Sequence, residues 1–191
     1  MKHPSSRQLF DYWRDIRGDR RCPERGDVEP GPIRRILADT FILASDPDHR
    51  FRIAGTRICA AFGRELRGES FFDLWSADSR PDMRELLGSV AAESVGVVGS
   101  ATGLNQEGCK LEFEWLALPL SRRLATDACM LGVLAPTEMP YWIGISVLEG
   151  LRLGSFRYLE SERRAISTAH LGEPLVARIR RGLVVYEGGQ G

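Results

Sequence analysis

The chain has little of what most catalytic, metal-binding and nucleic-acid-binding proteins display. Its three histidines, His3, His49 and His170, fall in the first residues, in a predicted turn and in the tail. The four cysteines, Cys22, Cys59, Cys109 and Cys129, form no C-x-x-C pair. That argues against a zinc ribbon, a thioredoxin-type redox motif or a small disulfide scaffold, and a reducing cytoplasm is the expected setting. Charge of one sign is missing as well. The 26 basic and 26 acidic residues cancel, so no global field draws the protein to nucleic acid or to an anionic membrane. Lysine is nearly absent, Lys2 and Lys110 being the two among 26 basic residues; a GC-rich coding bias explains this more simply than many fork-shaped arginine contacts. No stretch reaches the roughly 18 apolar residues of a membrane-spanning helix. The opening Met1-Lys2-His3-Pro4-Ser5-Ser6-Arg7 leads into an amphipathic segment and not into a signal core.

Motifs of catalysis are missing too. No HExxH, Walker-A or GxGxxG pattern occurs, and no Ser or Cys stands in a nucleophile elbow. Glu112 and Glu114 share one face of a predicted strand, as paired carboxylates of a hydrolase do, although a solvated strand face is the plainer reading. Arg178, Arg180 and Arg181, with Arg163 and Arg164 upstream, are offset by Glu160, Glu162 and Glu173 and lack a recognition-helix motif. The expectation is a protein that is not an enzyme, holds no metal and has neither a nucleic-acid nor a membrane partner.

What is present is a core-forming pattern. A hydrophobic content of 43% in 191 residues suits one core with extensions. Ser5 or Ser6 can cap a helix running to about Arg17, with Leu9, Tyr12, Trp13 and Ile16 on one stripe and Gly18 as its stop. Residues 19–32 form a connector broken by Pro23, Gly26, Pro30 and Gly31, in which Arg25 is expected to brace against Asp27 or the domain, and a short helical turn follows at 33–37. Strands are predicted at 40–45 and 50–54 around a turn at 46–49, with Phe51 and Ile53 on one side and Arg50 and Arg52 on the other. Thr56 can cap a small helix carrying Ile58, Cys59 and Phe62 inward; a longer helix at 79–93 places Met83, Leu86, Leu87 and Val90 at helical spacing. Strands at 95–104, 109–120 and 127–135 complete a five-stranded sheet. Residues 145–158 read as a further strand or a helix-strand join, 160–173 as a charged linker or frayed helix, 175–186 as a last short element, and the Gly-Gly-Gln-Gly end as mobile. The division is thus 1–37 for helix and connector, 38–136 for the core, and 137–191 for a C-terminal extension.

The second strand of the helix-following set, 109–120, is apolar on both faces. Leu111, Phe113 and Trp115 occupy one phase, while Leu116, Leu118 and Leu120 occupy the other. Ile42 beside Phe41, and Met130 in Cys129-Met130-Leu131, repeat this two-sided character. Something must cover the second face, and the stripe of Leu9, Tyr12, Trp13 and Ile16 is the available cover. Burying a Trp and its neighbours contributes several kcal/mol at roughly 25 cal/mol per Å². The expected contact is Leu9, Tyr12, Trp13 and Ile16 against Ile42, Leu116, Leu118 and Met130, within the chain or across a homodimer.

Tyr12-Trp13 with Gly18, Pro23 and Arg25, Gly55-Thr56, Cys59, Phe62-Gly63-Arg64-Glu65-Leu66, Gly68 and Asp73-Leu74-Trp75 appear in a specific order and spacing. In these the chain resembles the PAS superfamily, and more narrowly a bacterial PAS-type family formerly classed as a domain of unknown function. The resemblance covers about the first two-fifths of the sequence. It implies an α+β fold, a five-stranded antiparallel sheet with helices mainly on one face, used for sensing or protein contact. A pocket of that fold would be lined by Phe51, Ile53, Cys59, Phe62, Trp75, Phe113 and Trp115, which otherwise simply fill the core. Cys59 lacks the Asn-Cys-Arg-Phe-Leu-Gln context of a flavin photosensor, and helix 79–93 has no histidine for haem, so no cofactor is expected. The reading is a PAS-like sensory or scaffolding protein of bacterial signalling that works through a protein partner without catalytic output. Its alternatives are a small-molecule sensor and an uncharacterised enzyme.

Overall fold

The computed structural model describes residues 1–121 and 128–159. The predicted linker at 160–173, the element at 175–186, the arginine cluster and the glycine-rich end lie outside the described residues.

Among the described residues, alternating apolar positions and tight turns build six strands: β1 Thr40–Ala44, β2 Phe51–Ala54, β3 Gly96–Asn105, β4 Lys110–Pro119, β5 Ala128–Pro136 and β6 Leu148–Leu159. They form one antiparallel sheet in the order β2-β1-β5-β4-β3-β6. The sheet therefore has six strands where the sequence predicts five. Residues 145–158 resolve into β6, which adds to the edge of β3 along its whole length; Gly150 and Gly154 interrupt the alternation that would have declared it a strand. The β3–β4 turn is closed by the buried Asn105, whose side-chain oxygen accepts the N–H groups of Glu107 at 3.1 Å and Cys109 at 2.7 Å.

Among the described residues three α-helices accompany the sheet: α1 Pro4–Arg17, α2 Thr56–Phe62 and α3 Arg80–Glu93. In α3 the buried residues Met83, Leu86, Leu87 and Val90 match the predicted stripe. Two caps differ from expectation. Gly55, not Thr56, is the N-cap of α2, and α1 starts two residues earlier than a Ser5 cap would allow. Pro4 is preset for the first helical turn, so His3 takes the cap position and its Nδ1 accepts the Ser5 N–H at 3.1 Å. Ser5 and Ser6 are drawn inside the helix and buried.

The inner face of the sheet packs on α2, α3 and a 3-10 turn at Phe71–Leu74. Aromatic rings dominate here. Phe71 lies 5.3 Å from Phe41, 5.7 Å from Phe51 and 5.8 Å from Trp75, and Trp75 meets Trp115 edge-on at 6.0 Å, centroid to centroid. Gly132 makes room for them: a Cβ there would sit 2.1 Å from the Phe41 ring, its cross-strand partner. The outer face carries a second apolar cluster, formed by Ile42, Val98, Leu116, Leu118, Leu131 and Val133 with Leu9 and Trp13 of α1.

Candidate functional site: the covered outer face of the sheet

In β4, odd-numbered residues from Leu111 to Ala117 enter the inner cluster, while Leu116 and Leu118 enter the outer one. One strand thus supplies both faces, as its composition implies. Helix α1 of the same chain lies on the outer face against β4 and β5. Leu9 and Trp13 are buried there, Tyr12 packs at the margin and Ile16 is half-buried. Phe10, absent from the predicted stripe, joins them by stacking on Trp13 with rings 6.3 Å apart and nearly parallel. Trp13 also meets the Arg17 guanidinium, 5.0 Å from the ring centroid.

A few polar anchors fix the helix in place. The indole N–H of Trp13 donates to the Pro119 carbonyl at 2.9 Å. The Glu114 carboxylate accepts the N–H groups of Lys2 at 2.6 Å and His3 at 3.0 Å, just ahead of the helix. Burial pushes the Glu114 carboxyl up, but these hydrogen bonds and the terminal ammonium outweigh it and hold it below its ordinary value. Buried Asp39 accepts the Ser5 hydroxyl at 3.1 Å and pairs with Arg57, tying α1 to α2. The Tyr12 hydroxyl accepts the Glu29 N–H at 2.8 Å and lies 3.3 Å from the Asp27 carbonyl, so α1 also holds the connector.

Two residues expected at the sites lie on the opposite face. A bulge between Ile42 and Leu43 sets Leu43 opposite Phe51 and Ile42 opposite Ile53. The extra residue resets the alternation, so Phe51 points inward and Ile53 outward, 46% exposed. Ile53 is therefore no part of an inner pocket. Met130, expected under α1, pairs with inner-facing Leu43 and belongs to the inner cluster; its neighbour Leu131 takes the outer position. The other inner residues, Phe51, Phe62, Trp75, Phe113 and Trp115, are brought together in one buried cluster, with Cys59 half-buried against it. Burial pushes the Cys59 thiol up, which keeps it protonated at neutral pH. Arg25 does not pair with Asp27, because Arg20 holds that carboxylate at 2.8 Å.

A family model described as PAS domain matches residues 1–135, which takes in α1, the connector and all strands through β5. The chain belongs to the PAS domain family. It thus carries a sensory domain, with β6 lying beyond the matched span. Among solved structures, this PAS domain is similar to the dark structure of the blue-light photoreceptor Aureochrome1 LOV, at 14% identity and a TM-score of 0.44 over 57% of this chain and 82% of that one. It is similar also to an RNA-binding Light-Oxygen-Voltage receptor, at 16% identity and a TM-score of 0.44 over 56% of this chain and 33% of that one. Comparison with curated proteins finds no match. Among the described residues no helix of the PAS domain protein is long and apolar enough to cross a membrane.

Proposed function

We propose that this PAS domain signals through protein contacts made when α1 leaves or re-docks on the outer sheet face, with no catalytic output of its own. One observation carries the reading: the outer face buries an apolar cluster of its own, yet its cover is a helix anchored by a handful of hydrogen bonds. Release of α1 would expose Leu116, Leu118 and Leu131 to a partner or to a second copy of the chain. A signal shifts that balance only as far as it binds the two states differently. The setting is bacterial signalling in the cytoplasm. Affinity capture from the native host with wild type and Trp13→Ala in parallel tests this. A partner, or a homodimer by light scattering, gained or lost with the substitution is the expected result; identical partners and mass for both proteins would contradict it.

A second reading places a small molecule among Phe51, Cys59, Phe62, Trp75, Phe113 and Trp115. Its support is the Trp75 indole N–H, which is buried with no hydrogen-bond partner among the described residues and so offers a donor to a ligand acceptor.

A further inference from the structure

Helix α1 lies over β4 and β5, and beyond it the outer face opens into a cavity of about 370 Å³ over β1 and β2. The connector supplies one wall through Ile33 and Leu37, and the sheet supplies the floor through Ile42, Ile53 and Leu131. Two large apolar side chains left open to solvent, Ile53 at 46% and Leu37 at 38%, both face into it. The walls are set by close backbone contact: a Cβ on Gly55, at the β2–α2 junction, would lie 2.2 Å from the Ala38 carbonyl oxygen. Arg25 is the one charged residue among those lining the cavity. Asp27, two residues on, is taken by Arg20, and Arg25 makes no ion pair among the described residues. Its described hydrogen bond is a long one, 3.4 Å to the Val28 carbonyl, which leaves most of its fork of donors for a ligand.

We propose that this cavity binds an amphipathic monocarboxylate, an apolar chain or ring bearing one acid group, with the apolar body over Ile42, Ile53 and Leu131 and the carboxylate on Arg25. The volume falls at the small end of ligand sites, roughly 300–1,000 Å³, which suits a small molecule and not a peptide or a helix. A planar guanidinium without a carboxylate partner selects an oxyanion that it can meet with two parallel hydrogen bonds. The site is separate from the inner aromatic cluster. Because Tyr12 holds this same connector at Asp27 and Glu29, an occupant here abuts the segment that α1 grips.

Calorimetric titration of the full chain with sodium decanoate, below its micelle concentration, tests the proposal, with 1-decanol as the uncharged probe. Arg25 and Ile53 are partly exposed, so Arg25→Ala and Ile53→Asp are compatible with folding, and far-UV circular dichroism verifies it. The expected result is saturable one-to-one binding of decanoate, weakened about tenfold by Arg25→Ala, abolished by Ile53→Asp, and weakened to a similar degree when decanol replaces the acid. Absence of saturable binding, or binding that either folded variant leaves unchanged, would overturn it.

Discussion

The two faces of the sheet are built from the same strands and each buries an apolar cluster, yet they are closed by different means. On the inner face the cover is chain that runs from β2 to β3, so both of its ends are fixed in the sheet and its rings interlock with Phe41, Phe51 and Trp115. The outer face is closed by α1, which leads into β1 through the connector and is held on the sheet by a few hydrogen bonds. Trp13 and Leu9 contribute the apolar burial there, and the carboxylates of Glu114 and Asp39 supply the directional contacts. Burial by itself therefore does not separate a permanent core from a removable cover. The number and kind of independent anchors do.

Substitution of one residue from each side would break this comparison or sharpen it. Phe71→Ala removes the ring that touches Phe41, Phe51, Phe72 and Trp75, and is expected to lower the unfolding free energy by about 3–5 kcal/mol in urea denaturation. Trp13→Ala deletes an equally buried and larger side chain, but its cost is capped at the free energy of docking α1, about 1–3 kcal/mol. Equal losses from the two substitutions would make the faces equivalent and α1 an ordinary part of the core.

The smallest effect is electrostatic. The Glu114 carboxyl has a folded pKa below its ordinary value, so it stabilises docked α1 above the unfolded carboxylate pKa, and that contribution is lost as pH falls through the folded value. Glu114→Gln is expected to cost about 1 kcal/mol at neutral pH and progressively less as pH falls through the folded value, read from the Trp13 indole N–H resonance, which reports its bond to Pro119. A substitution effect that persists unchanged in acid would remove the carboxylate from the anchoring scheme.

Much of this comparison was legible in the sequence, because β4 declares both faces in adjacent residues and α3 declares its stripe at helical spacing. Where the reading failed, the failures have local causes. Ile53 changes faces at a bulge, which no alternation rule foresees, and Met130 sits in a run apolar in both phases, where a slip of one residue is invisible. β6 carries two glycines and no regular alternation; it is a strand because β3 offers it an edge. Phe10 lies off the predicted stripe and is recruited by stacking on its neighbour three residues on. The outer cavity was beyond reach for a different reason, since its walls come from the connector, β1, β2 and β5, which only the fold brings together.

Native-state hydrogen exchange on the full chain measures the separability of α1 directly. The amides of α1 are expected to exchange through an opening of lower free energy than those paired between β3 and β4, and to do so while the sheet remains protected. Exchange of both sets only through one common, global unfolding would show that the helix never parts from the sheet, and would contradict the account.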